Sequence, residues 1–520
     1  MGPYFPTPTA TAPNDKSESS MRKRPLEFII AYERSKDKKK ATEKFPNEEK
    51  SDIRTYQNAQ IYYKRETSSE DFHEVQTTSW KSRRLPGSPD DFLEIQTTSW
   101  KSRRLPESAD DFVRRLPRSP DDFQTTNRLF LTFAILCGLY NEAYGKASID
   151  IDMKLKALNK PALKTIKSED GDIIDCVDIY KQHAFDHPAL RNHKIQMKPS
   201  VVFGTTKTTR PNNGTSKPIT SQIWSKSGTC PKGTVPVRRV SREDIMRASS
   251  PSHFGRKTPR RYDFLDNALK HKGKFNITAE RLRQPRPKDR SEAILIAIGY
   301  NYLGAQSDIN VWNPPGVQFN DYSSSQIWLL AGLSDKFETI EAGWVKDSYA
   351  TTGCTNLLCS GFVQTTTRFA LGAAVEPVST PSSEQYHITV SMYLDPNTLN
   401  WWLTCGGNVI GYWPGNLFTY LKHSATAVQW GGEVYSTNVR KKPHTKTTMG
   451  SGRWPSYLYG EACFHTNVRI KDYSLQIKYP PYLSEYSDEY DCYSTKLNRE
   501  TYRAEPVFFF GGPGQNRFCP

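Results

Sequence analysis

The sequence predicts an all-β protein: an antiparallel β-sandwich at the C-terminal end, preceded by a small α+β unit and a disordered N-terminal extension. Three observations carry this. Residues 291–520 alternate short apolar runs with turn residues and hold no long segment of helical period. The same stretch is rich in Trp, Tyr, Phe, Thr and Gly, and its aromatic and β-branched side chains suit a pleated surface. Charge also divides the chain. Residues 291–520 carry 16 Lys+Arg against 19 Asp+Glu, so the whole formal excess of +16 lies upstream.

Residues 1–126 are dominated by Pro, Ser, Lys and Glu and offer no sizeable apolar face, the composition of a disordered extension. Within it, Leu26 to Tyr32 reads as a turn or two of helix. Gln76–Pro86 recurs as Gln96–Pro106, with a degraded copy at Arg114–Pro117. A solenoid repeat needs an apolar stripe that these copies lack, which leaves a duplicated disordered tract or, as the rival, a binding motif. In 127–145, Arg128 precedes the apolar run Leu129–Leu139, followed by small residues near Ala143 and Gly145, the pattern of a secretory signal. The run is shorter than the ~20 residues a spanning helix needs, so no membrane span is expected. Its internal position is explained if translation begins near here and residues 1–126 are an artefact of the gene model. Secretion, to the extracellular space or the vacuole, follows if the segment is used.

Residues 146–290 form the second unit. A helix is expected near Ile151–Leu158, a turn at Asp170-Gly171-Asp172, and a capping box at Ser241–Asp244, an acid three residues after a serine. Asn213 and Asn276 stand in N-glycosylation sequons. In 291–520, strands are expected at Ala293–Ile298, Gln326–Leu330, Phe369–Ala374, His387–Tyr393, Asn400–Leu403, Ala427–Trp430, Ala462–Arg469 and Pro506–Phe510. The basic half carries no RNA-binding or zinc-finger signature, which argues against a nucleic-acid partner.

The nine cysteines point to an oxidising compartment. Cys354 and Cys359 could close a small loop, Cys492 and Cys519 could pin the terminus, Cys176 and Cys230 could pair within the second unit, and Cys405 and Cys463 are left over. A zinc site is the rival, but neither C-x2-C spacing nor clustered histidines support a metal. No cofactor motif is present.

No G-x-S-x-G, H-E-x-x-H or P-loop occurs. Two glutamates stand out instead. Glu341, in Thr339–Trp344, and Glu433, in Val428–Val434, are lone carboxylates on otherwise apolar strand-like stretches. Burying an ionised acid is costly unless it is paired or protonated. Two such acids facing one cavity would differ in pKa, one a base for water and the other a proton donor.

Residues 298–520 resemble the neprosin family through Gln326–Gly332, Glu338–Trp344, Gly353–Gln364, Asn400–Leu403, Gly411–Pro414, Trp430–Val434, Met449–Gly452 and the ending Gly511–Pro520. Residues 161–250 resemble its activation peptide through Asp170–Cys176, Ala184–Pro188 and Gly228–Pro236. The resemblance implies a sandwich of two antiparallel sheets and cleavage after proline at acidic pH by a Glu341–Glu433 dyad. It implies pairing of Cys354 with Cys359 and of Cys492 with Cys519, and inhibition by the chain's own activation peptide until maturation near residues 280–291. Proline-containing peptides or proteins are then the substrates. The charge split further suggests that basic residues of the activation unit hold the sandwich's carboxylates and let go in acid. The chain departs from the family after Trp344, where Val345–Thr352 replaces a longer segment. That shortening supports an alternative, a non-catalytic extracellular or cell-wall binding sandwich. A glycosidase using the same two carboxylates is a third reading.

Overall fold

The structure is a computed structural model that describes the backbone at 27–34, 61–63, 74–78, 80–81, 96–97 and 101–104, then 149–201, 216–246, 289–333, 336–346, 357, 360–502 and 504–520. The chain is mostly β, with 42% strand and 11% helix. It divides into two compact units, Met1–Asp37 with Ala147–Pro520, and Lys38–Lys146.

The second of these holds short strands: β2 (Ile61–Tyr63), β3 (Glu74–Thr78), β4 (Trp80–Lys81), β5 (Gln96–Thr97) and β6 (Lys101–Arg104). The repeat copies pair with each other. β3 joins β6 with Gln76 opposite Ser102, and β4 joins β5 with Trp80 opposite Thr97. In the larger unit the N-terminal extension contributes β1 (Glu27–Arg34). The helix expected around Leu26–Tyr32 is not formed. Phe28, Ile29 and Ile30 favour an extended chain, and an open sheet edge gives their backbone partners that a short helix could not.

Ahead of the activation region a helix spans 149–158, followed by β7 (Ala162–Lys167) and β8 (Ile173–Asp178). The expected turn joins them, closed by Gly171 N–H donating to Ser168 O at 3.0 Å, with Gly171 at φ +92°. β9 (Lys217–Pro218) and β10 (Thr234–Arg238) follow. The capping box opens Arg242–Met246 reciprocally: Asp244 N–H donates to Ser241 Oγ at 3.2 Å, and Ser241 N–H to Asp244 Oδ2 at 2.8 Å.

One strand organises the C-terminal region from residue 289 on. β11 (Arg290–Asn310) runs for 21 residues and bends at Gly299, φ +108°, where its pairing register shifts between Ile298 and Tyr302. Its first half lies between β18 (Ala425–Tyr435) and β21 (Ser484–Ser487); its second lies between β15 (Tyr386–Leu394) and β19 (Cys463–Asp472). A single strand thus serves both layers of a curled antiparallel sheet. One wing continues from β18 through β12 (Tyr322–Leu333) and β13 (Lys336–Lys346) to β1. The other runs from β15 through β16 (Trp401–Cys405) and β17 (Asn408–Trp413) to β14 (Val363–Gln364). β19 also pairs with β20 (Ile477–Lys478) and β23 (Val507–Gly511), and β23 with β22 (Ser494–Asn498).

The main core fills the space between the wings with Leu295, Ile327, Leu329, Ile340, Trp344, Val428, Trp430, Val390, Trp402 and Phe508. Seven of the eight apolar runs lie in strands. Phe369–Ala374 does not; Leu371 makes only a single bridge to Val237, because activation-unit side chains rather than a ladder satisfy its backbone. No helix among the described residues is long and apolar enough to cross a membrane.

Candidate active site

Strand β12 lies between the strands that carry the two glutamates. Trp328 is opposite Glu341 on β13, and Ser324 is opposite Glu433 on β18. Side chains alternate along a strand, so residues 324 and 328, four apart, point the same way, and both carboxylates fall on one face. Between them is Gln326, opposite Gly343 on one side and Gly431 on the other. Neither glycine contributes a side chain, so this row is a trough in the side-chain layer of the sheet, with a glutamate at each diagonal corner. They are also required by close backbone approach: a Cβ on Gly343 would stand 2.0 Å from Ser325 O, and one on Gly431, at φ +144°, 2.3 Å from Ala293 O. The register sets the two Cα atoms about 13 Å apart along the strands and about 10 Å across them. The gap suits groups acting from either side of a bound chain and a water, rather than two acids sharing one proton.

Both glutamates are 0% exposed, so the groups packed around them must shift before a polypeptide can reach either. Ile294, Ile296, Trp328, Leu330, Ala427 and Tyr486 form an apolar cluster on the same face, so local charge is poorly screened. Tyr322 O–H donates to Glu433 Oε1, and its ring stacks on Tyr435 at 5.4 Å. Thr339 Oγ1 donates to Glu341 Oε1 at 3.0 Å, and Gln326 Nε2 to Ser324 Oγ at 2.8 Å. Glu338, on the opposite face of β13, has a structural role, accepting the N–H groups of Thr419, Tyr420 and Leu421 at 2.8–3.0 Å.

A third carboxylate belongs to this face and was missed in the sequence. Glu292 on β11 is directly opposite Glu433 and 3% exposed. The available signal was an acid two positions before Ile294, in step with Ile296 on the same face.

The activation unit docks on the other wing. β9 adds in parallel to β15, with Lys217 N–H donating to Gln385 O at 2.7 Å and Ile219 N–H to His387 O at 2.8 Å. Gln182 and Gln364 bond reciprocally at 3.1 and 2.8 Å. Gln222 does the same with the backbone of Ala370, at 2.9 and 2.8 Å. Burial would raise the Asp395 carboxyl, but hydrogen bonds from Ser200, Asn397 and Gln196 outweigh it and hold the group below the usual range. The ion pair described across this contact, Lys217 with Glu384, is exposed. Hydrogen bonds from backbone, amide and hydroxyl groups, including those to the Asp395 carboxylate, rather than the expected clamp of basic residues, dominate the described contact.

Disulfides join Cys176 to Cys230 and Cys492 to Cys519, each with a Cα–Cα distance of 5.4 Å. The second leaves no thiolate for a metal beside His444, which stands within 4.8 Å of both sulfurs. Cys405 and Cys463 are buried thiols, and burial pushes Cys405 up to about 12. Cys354, Cys359, Asn213, Asn276 and the segment 127–145 lie outside the described residues.

Two family models match the chain: Neprosin over residues 319–513, and the Neprosin activation peptide over 165–277. The first spans both glutamates and the glycines beside Gln326, and the second runs from within β7 past β10 and takes in the residues that bond to the other wing. The chain therefore belongs to the neprosin family, as a peptidase-type domain still joined to its activation peptide.

Proposed function

We propose that this is the secreted precursor of a glutamic endopeptidase that hydrolyses peptide bonds after proline in acid, with Glu341 and Glu433 as its catalytic pair. The observation that carries the reading is the placement of two buried carboxylates on one sheet face, at opposite corners of the trough around Gln326. The preference for proline rests on the family likeness.

Glu433 is the base. The Tyr322 hydroxyl donates to it and favours its ionised form, so it takes a proton from water. Glu341, protonated in acid, stands across the trough and donates to the carbonyl oxygen or the leaving nitrogen as the tetrahedral intermediate forms and collapses. Gln326 offers an amide between them to orient the substrate backbone.

The test is to acidify the purified full-length chain and measure cleavage of a proline-containing peptide. Cleavage by wild type that is lost in both Glu341→Gln and Glu433→Gln supports the pair. Cleavage that survives either change removes it.

A further inference from the structure

The face that carries the two glutamates holds a second polar pair, one row along from Gln326. Trp328 on β12 is opposite Glu341 on β13 and opposite Gln429 on β18, and Gln429 is opposite Ile296 on β11. Glu341, Trp328, Gln429 and Ile296 thus form one row across four strands. Directly opposed residues of an antiparallel pair have Cβ atoms about 4.5–5.5 Å apart, so the glutamine amide stands beside the indole.

Trp328 and Gln429 are both 0% exposed. Neither Nε2 nor Oε1 of Gln429 has a hydrogen-bond partner among the described residues, and Trp328 Nε1 has none either. Their neighbours on this face are apolar, with Ile294, Ile296, Leu330 and Ala427 in the same cluster as the Trp328 ring. Comparable groups elsewhere are satisfied. Gln182 and Gln222 are bonded at both ends of their amides, and the indoles of Trp344, Trp401 and Trp430 each donate to a carbonyl. A buried amide and indole left unbonded work against folding, and a methionine in place of Gln429 would fill the same space without that cost. Packing therefore does not account for the amide.

We propose that Gln429 and Trp328 form a subsite for the backbone of an extended polypeptide, beside Glu341. A residue in an extended chain turns its N–H and its C=O to the same side. The Gln429 amide matches that pair, with Oε1 accepting the N–H and Nε2 donating to the C=O. Trp328 Nε1 donates to a further carbonyl of the same chain, and the ring, with Ile294, Ile296 and Leu330, receives an apolar side chain. The subsite opens with the same shift that uncovers the glutamates. It rests on the peptidase reading for where the cut falls, but the binding itself can be measured without cleavage.

The experiment uses the acidified full-length chain, a proline-containing peptide, and a set of its depsipeptides, each with one backbone amide replaced by an ester that lacks the N–H. In wild type one replacement should lower kcat/KM by about tenfold, mainly through KM. In Gln429→Met, kcat/KM for the parent peptide should fall by about the same factor, and the penalty of that one ester should vanish. Trp328→Phe keeps a ring and removes the N–H, and should lower kcat/KM a few-fold. Gln429→Met breaks no internal hydrogen bond, so its denaturant midpoint should equal or exceed that of wild type. A Gln429→Met chain that is less stable than wild type, or that keeps the ester penalty, would overturn the proposal. The same peptides are also titrated onto Glu433→Gln and onto Glu433→Gln combined with Gln429→Met. Ester-sensitive binding that depends on Gln429, with no cleavage by wild type, would sink the peptidase reading and leave the subsite standing. Binding indifferent to Gln429 would overturn the subsite, whatever wild type cleaves.

Discussion

Glu433 and Glu341 face the same trough, but their strands are supported very differently. β18 is central: β12 pairs with it through nine residues on one side, and β11 through the stretch from Arg290 to Ile298 on the other. β13 has β12 on its inner side, while its outer side is covered by β1, from the N-terminal extension, with Ala31 opposite Glu341. One carboxylate is held by the body of the sheet on both sides; the other relies on a strand borrowed from more than three hundred positions away in sequence. A catalytic pair needs both groups in place, so the weaker support sets the vulnerability of the site.

Neutralising either glutamate is expected to have the largest effect, a fall in cleavage of about 10³-fold or more, as for loss of a principal acid–base group. The two sides of the comparison separate when residues 1–37 are deleted. Hydrogen exchange should then lose protection at alternate amides of β13 and leave β18 unchanged, with activity falling about tenfold as Glu341 loosens. Equal protection of both strands with and without the extension would show that β1 contributes nothing to that edge. Tyr322→Phe removes one buried hydrogen bond to a charged partner and should lower cleavage by roughly tenfold, about 1.5 kcal/mol, with little change in substrate KM.

Acid also strains the core behind the site. His465 lies between Ser307 and Ser325 hydroxyls at 2.9 Å each, and burial pushes it down to about 3. Its folded pKa is depressed below the unfolded value near 6.5, so its contribution to stability is full above that pH and is lost as pH falls toward 3. Wild type should lose up to about 1.4 kcal/mol per pH unit across that window relative to His465→Gln, read by denaturant midpoints. The smallest effect expected is that of salt on release of the activation unit. With Lys217–Glu384 exposed and the other described contacts made by hydrogen bonds without a second ion pair, raising ionic strength should change processing less than twofold.

Much of the sandwich was legible from the C-terminal stretch alone, since Leu295, Ile327 and Trp430 recur at strand spacing and end at turn residues. Glu341 and Glu433 were legible as charges on apolar strands. What could not be read was set by register. Nothing in the local sequence says that Gln326 falls opposite two glycines, or that Glu292 meets Glu433. Both depend on which strands become neighbours, a long-range choice. The helix expected at Leu26–Tyr32 failed for the same reason: a short apolar run takes the conformation of the partner it finds. Phe369–Ala374 failed because hydrogen bonds from Gln222, distant in sequence, and from the nearby Gln364 replaced a ladder.

The central claim is that a substrate lies between the two glutamates. Its most direct test is the affinity, at acidic pH, of a peptide whose scissile carbonyl after proline is replaced by a tetrahedral phosphinate, measured on processed wild type, Glu341→Gln and Glu433→Gln. Both substitutions should weaken binding by comparable, large factors. Unchanged affinity in either variant would place that glutamate outside the reacting centre.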